Sequence, residues 1–299
     1  MTLSSWLSRW FGPAPEVKNP QSIFIGMIGG VGDLVLASPS VTALHNKFPH
    51  AQICFGVGPH PFYSTIKNHP HIHRFETPFS YNVWKSGDRR ALERRKCREY
   101  DRVLLLDNPD RDWWKQGKHL IDIYAEKCGV VLPQRRGVIH LSSDDEEQGR
   151  EILHRNGIAP EDFLVVMAPE VRSKREVKEW PHGHFIRLIE RIHAHKRVKI
   201  IAFVSPQETR EYPGTIVLRD PIGPSAAVIR SANAFIGLDC GLTHIAGALN
   251  VKIVSIHIGF PPQCSAVLSD NAVIVAHEPF CRPDSISVEE VFEKVQTIL

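Results

Sequence analysis

The chain contains no C-x-x-C pair. Its six cysteines, at 54, 97, 128, 240, 264 and 281, are scattered, which argues against a zinc site and for reduced thiols in a cytosolic protein. No apolar run approaches the ~20 residues that a membrane-spanning helix requires. Residues 1–20 lack the basic start and small-residue cleavage site of a secretory signal. His60, His69, His71 and His73 lie near one another, but no His-x-x-x-His pair falls on a clear helix, so no metal site is expected. The first glycine-rich turn runs Gly26-x-x-Gly29-Gly30-x-Gly32. That is not G-x-G-x-x-G, and no acidic residue follows about 20 positions on, which disfavours a dinucleotide oxidoreductase. The formal net charge is only +3, so nothing demands nucleic acid. A basic face toward an anionic substrate or a lipid surface fits as well.

What is present is the material of a soluble globular α/β protein. The 299 residues are 42% apolar and 23% charged, enough for two domains of ordinary size or one large unit. Buried strands are predicted over 22–27, 51–57 and 103–107. A second series follows over 163–167, 199–204, 215–218, 234–238 and 251–256, alternating with helices. This is the pattern of doubly wound parallel sheets, whose ligands sit at the carboxyl ends of the strands. The division predicted is an N-terminal amphipathic segment over 1–20, a first domain over 21–158 and a second over 159–299. In the first segment Leu3, Trp6, Leu7, Trp10 and Phe11 recur at helical spacing. It reads either as a foot on a membrane surface or as a helix packed on its own domain. The closing helix, over 287–298, carries Ser287 at its N-cap and Glu290 at the capping-box position; it is free to pack back on the first domain.

The most informative stretch is 234–250. A short apolar run ends at Leu238, Asp239 and Gly241 follow, and a helical pattern with little side-chain bulk at Ala246, Gly247 and Ala248 comes next. Asp239 is placed to cap that helix, whose first-turn N–H groups can hold an anion such as a diphosphate. Asp239-Cys240-Gly241-Leu242-Thr243-His244, continuing into Ile245-Ala246-Gly247-Ala248-Leu249, resembles the D-[ST]-G-x-x-H-[IL]-A-x-A-L signature of glycosyltransferase family 9, the ADP-heptose:lipopolysaccharide heptosyltransferases. Cys240 stands where that pattern has Ser or Thr; a thiol is the weaker hydrogen-bond partner, but the backbone contribution survives. Lys178-Glu179-Trp180-Pro181 resembles the family's K-x-W-P segment, and Gly32-Asp33 its G-D turn.

The resemblance implies a GT-B architecture, two Rossmann-like domains facing a central cleft. It also implies an inverting, metal-independent transfer of heptose from ADP-heptose to a lipopolysaccharide inner-core acceptor. No cofactor is implied, since the ADP-sugar is a substrate. The implied partners are that donor and an anionic glycolipid acceptor, with the enzyme cytoplasmic and in peripheral contact with the inner membrane. Asp33 is then the general base and Lys178 the cation on the donor phosphates. Glu208, Asp239, Cys240, Gly241, Leu242 and His244 fall on the donor side, with Glu208 where the family holds the adenosine ribose. Gly30, Gly32, Arg89 and Arg94 fall on the acceptor side. Each has a plainer alternative: Asp33 capping a helix, Lys178 a solvent-exposed loop charge, His244 packing, and the basic run 85–98 a solvated helix face. A catalytically silent sugar-nucleotide-binding protein, or a transferase of another nucleotide sugar, would share most of these features.

Overall fold

The computed structural model describes residues 17–58 and 62–299. The apolar positions at 3, 6, 7, 10 and 11, and His60, lie outside the described residues. Two parallel sheets carry the fold. The first holds β1 (Ser22–Met27), β2 (Gln52–Val57), β3 (Arg74–Glu76) and β4 (Arg102–Leu105) in the order β3-β2-β1-β4. The second holds β5 (Leu164–Ala168), β6 (Lys199–Phe203), β7 (Ile216–Leu218), β8 (Ala234–Leu238), β9 (Ile253–His257) and β10 (Ala272–Ala276) in the order β10-β9-β8-β5-β6-β7. Both sheets therefore grow outward one way from their first strand and then reverse, at β1/β4 and at β5/β8. In open α/β sheets such a reversal leaves a crevice at the carboxyl ends of the two strands.

The strands read as near-continuous apolar runs because both faces are covered. In β5, Val165 and Met167 join a core built with α6 (His182–His195) and α10 (Val288–Gln296). Leu164, Val166 and Ala168 point the other way, into a core shared with α4 (Ser143–Arg155), α7 (Ile222–Arg230) and α8 (Gly241–Ala248). In the first sheet Ile23 and Ile25 pack under α1 (Val31–Lys47) and α3 (Leu120–Cys128), while Phe24 meets Leu92 of α2 (Ser86–Lys96) on the opposite face. The short turn α5 (Arg175–Lys178) and α9 (Pro262–Ser265) complete the helices used below.

Three features differ from the sequence reading. The strands β3 and β10 are edge strands, half-exposed and therefore weakly patterned. Helix α4, placed with the first half by a boundary at 158, packs on α7 beneath the second sheet. The closing helix α10 lies on α6, β9 and β10 rather than back on the first half. Its predicted capping box is present, with Glu290 N donating to Ser287 Oγ at 3.2 Å and Ser287 N to Glu290 Oε2 at 2.7 Å.

The two halves are joined at several points. Val35 of α1 is buried in the core of the second half. Lys67 Nζ and Asn68 Nδ2 reach Asp145 of α4 at 2.9 and 3.0 Å. His119 caps α3 by accepting from Ile121 N through Nδ1 at 3.1 Å. That fixes its tautomer, so Nε2–H donates to Ala266 O at 2.9 Å across the joint. Burial pushes both His119 and His69 down to about 4; around His69 the nearby His140 and His71 act in the same direction. Both rings are thus neutral in the fold at pH values where an unfolded histidine, with its pKa of about 6.5, binds a proton. Their contribution to stability is full above about pH 6.5 and is lost as the pH falls toward about 4. Melting temperatures across that window should fall with pH, and fall less steeply in His119→Asn, which retains a capping oxygen.

Candidate active site

The crevices of the two sheets open into one cleft of about 740 Å³. Its walls are the segments that follow β1, β4, β5, β8 and β9, all at the carboxyl ends of their strands. The second-half wall centres on Asp239, whose carboxylate receives Lys178 Nζ at 2.7 Å and lies 3.5 Å from His244 Nε2. Ser265 Oγ donates to it at 3.4 Å. Burial opposes ionisation of Asp239, but Lys178 and then His244 outweigh it and hold the carboxyl well below the usual carboxylate range. Asp239 is therefore not the helix cap that the turn predicts. Helix α8 starts at Gly241 with Cys240 as N-cap and no side-chain cap, and the Asp239 carboxylate is taken up by Lys178. The Lys178 stem passes over Gly259, whose φ is +103° and where a Cβ would lie 2.8 Å from Lys178 Cγ, so only glycine suits both backbone and neighbour. Phe260 places its ring 4.4 Å from Lys174 Nζ and 5.1 Å from the Trp113 ring of the first half.

The first-half wall holds the carboxyls of Asp33 and Asp107, with the exposed Asp110 at its rim. Asp33 lies at the third position of α1: its Oδ2 accepts from Gly30 N at 2.8 Å and its Oδ1 from Tyr124 OH at 2.7 Å. One oxygen thus closes the helix start, and the other answers a side chain of α3. Asp107, just past β4, accepts from Ile28 N at 2.9 Å and from Tyr81 OH at 3.0 Å. Burial, with Asp33 adding to it, pushes Asp107 up to about 6 against those hydrogen bonds. Behind it, Arg89 donates to Asp107 O at 3.1 Å and Lys127 to the same carbonyl at 2.8 Å. Lys127 is pushed down to about 8 by burial and by Arg89.

The profile of glycosyltransferase family 9 (heptosyltransferase) matches residues 118–294, more than half of the chain. The chain belongs to glycosyltransferase family 9. It is 21% identical over 298 residues to lipooligosaccharide heptosyltransferase 2 of Haemophilus influenzae, covering 82% of this chain and 85% of that one. Among solved structures it resembles the E. coli ADP-heptose lps heptosyltransferase II, with a TM-score of 0.70 at 16% identity over 93% of this chain and 98% of that one. A family 9 glycosyltransferase from Veillonella parvula gives 0.72 at 17% identity over 93% and 97%. The fold is the GT-B architecture that the sequence implies.

In this family 9 transferase the cleft brings together Gly30, Gly32, Asp33, Lys178, Asp239, Cys240 and His244. Of the other five predicted residues, Glu208, Arg89 and Arg94 stand away from it, while Gly241 and Leu242 belong to the first turn of α8 at its edge but turn their Cα face and side chain elsewhere. Glu208 is closed into a network: its Oε1 accepts from Thr209 N and Arg210 N, and Oε2 pairs with Arg210 and Arg175. The Arg210 hydrogen bond is the largest influence holding Glu208 well below the usual range. Arg89 spends its guanidinium on two backbone carbonyls and on Glu93, and Arg94 is exposed on α2 away from the cleft. Leu242 packs into the core beneath α8. Gly241 faces Val31: a Cβ there would lie 2.7 Å from Val31 Cβ and 3.3 Å from Gly32 N. Conversely, the cleft contains Asp107, Tyr124 and the exposed Arg111, none of which the sequence reading assigned to the site. An acidic residue just after a strand was the available signal for Asp107; Tyr124 and Arg111 carried none. Among the described residues, no three of His, Cys, Asp and Glu converge so as to hold a metal ion.

Two measurements follow from this geometry. Gly241→Ala should destabilise the protein by about 1–3 kcal/mol, the scale for overpacking against atoms that no rotamer can move. Gly183→Ala, where a Cβ meets nothing within 4 Å, should be neutral or slightly stabilising in the same urea melts. A double-mutant cycle on Lys178→Met and Asp239→Asn should give a coupling energy on the order of 1–3 kcal/mol; additive losses would mean that the buried pair is energetically idle.

Proposed function

We propose that the cleft moves heptose from ADP-heptose to an anionic sugar acceptor of the lipopolysaccharide inner core, with inversion and without a metal. The observation that carries this reading is the opposition, across one cleft, of a hydrogen-bonded carboxylate on α1 and a part-buried ammonium held by Asp239. Asp33 takes the proton of the acceptor hydroxyl. The freed oxygen lone pair forms the new bond to the anomeric carbon, from the face opposite the departing group. The bond from that carbon to the diphosphate oxygen breaks, and its electron pair leaves with ADP. Lys178 and the first turn of α8 meet the charge that develops on that diphosphate, the role a preorganised cation fills best in a water-poor site. Asp239 orients the Lys178 ammonium through their 2.7 Å ion pair.

The solved E. coli relative is an ADP-heptose lps heptosyltransferase, and another E. coli heptosyltransferase has been solved with ADP. Both support adenosine diphosphate as the leaving group. On the acceptor side Arg111, stacked 5.1 Å from the exposed Trp84 ring, takes the place the reading had given to Arg89 and Arg94. It offers a cation beside an aromatic face, which suits an anionic sugar. The place of action in this reading is the cytoplasm, in peripheral contact with the inner membrane where the glycolipid lies. No helix among the described residues is long and apolar enough to cross a membrane.

The test is Asp33→Asn. Asparagine keeps an oxygen for Gly30 N and preserves the helix start, so melting and ADP binding should stay near wild type. Transfer from ADP-heptose should fall by about a hundredfold or more, the scale for a positioned base. Wild-type turnover would remove Asp33 from the chemistry. Binding of UDP or GDP as tightly as ADP would remove the donor assignment.

A further inference from the structure

We propose that Tyr124 is a positioning residue for the base: its hydroxyl fixes the orientation of the Asp33 carboxylate in the cleft. The inference rests on the reading of Asp33 as proton acceptor. Asp33 is a short side chain with one χ1 and a broad χ2, and one hydrogen bond to Gly30 N would leave its plane free to swing. The bond from Tyr124 OH to Oδ1 at 2.7 Å, set against that from Gly30 N to Oδ2 at 2.8 Å, pins both oxygens. Each oxygen keeps a further lone pair for an acceptor hydroxyl.

Tyr124 is itself held firmly. Its ring is buried in the core beneath the first sheet with Ile121 and Cys128 of the same helix, while its edge lines the cleft. The phenol therefore cannot leave without vacating the core. Burial, followed by the Asp33 charge, pushes it well above the usual phenol range, so it remains a donor at any pH where the enzyme works. The charged and titratable groups nearest this pair are Asp107 beyond β4, which is raised by the Asp33 charge and in turn raises Tyr124, and His244 of α8, which lies against Gly32. Asp107 keeps its own donors, Ile28 N and Tyr81 OH, when Tyr124 is changed.

The experiment is Tyr124→Phe, which preserves the ring and removes only the hydroxyl. It is read by kcat, donor KM and the pH profile of kcat/KM alongside a melting curve. Loss of a donor to a carboxylate favours its protonated form, so the acid limb should move up by about half a pH unit or more. Misorientation should lower kcat by about tenfold to a hundredfold, with donor KM within about twofold of wild type because Tyr124 touches no donor-side group. Placing 3,5-difluorotyrosine at 124 keeps ring and hydroxyl but strengthens donation, and should move the acid limb down; this arm also decides the matter if the phenylalanine variant melts too early. An unmoved acid limb in both variants overturns the inference, whether or not kcat falls, since a purely structural role changes stability and leaves the limb in place. Asp33→Asn measured in parallel separates the two ideas. If it retains turnover, the base assignment fails and takes Tyr124 with it. If it is inactive while both Tyr124 variants are silent, only the positioning role fails.

Discussion

The structure depends on how closely the first turns of α1 and α8 approach each other. Val31 and Gly32 of one helix lie against Gly241 and His244 of the other, at distances that leave no room for a Cβ at 32 or 241. Because each helix starts at the carboxyl end of a strand beside a sheet reversal, this single contact brings both crevices into one cleft. It also turns two helix N-termini, each carrying about half a positive charge, toward the same space. The part-buried Asp33 and the buried Asp239 sit at those two positive ends.

The carboxylates on the two walls are treated differently by their surroundings, and the difference is chemical. Asp239 is matched by an ammonium and is permanently charged. Asp107 is met only by neutral donors, and burial leaves it titrating at about 6. The cations behind it, Arg89 and Lys127, are directed to backbone carbonyls. They fix the loop after β4, and the nearby Lys127 charge only partly offsets the burial of the carboxyl.

Much of this was legible in the chain. Buried parallel strands announce themselves as apolar runs, so 22–27 and 234–238 coincide with β1 and β8, and the residues just after them could be placed in the cleft from topology alone. Residue identity did not say what each side chain would choose once there. Asp239 had a helix start one residue away and an ammonium in reach; the ammonium is the stronger partner in a buried site, so capping was lost to it. Glu208 and Arg89 lie outside the cleft lining for a related reason: nearby arginines, backbone amides and carbonyls already engage them. Tyr124 was invisible because its spacing in α3 is that of a core residue, and only the fold brings its hydroxyl to Asp33, 91 positions away.

The joint formed by α1, α8 and the His119–Ala266 hydrogen bond also fixes where movement is cheap. A rotation of one sheet against the other would turn about this joint, because separating it exposes the buried Val35 and breaks a buried hydrogen bond. Points near a pivot travel little, and points far from it travel on a long lever arm. Asp33 and His244 lie beside the pivot, whereas Trp84, Arg111 and Lys174 are exposed at the cleft wall. Asp33 and His244 thus keep their spacing under such a rotation, while the outer wall of the cleft is the part that swings.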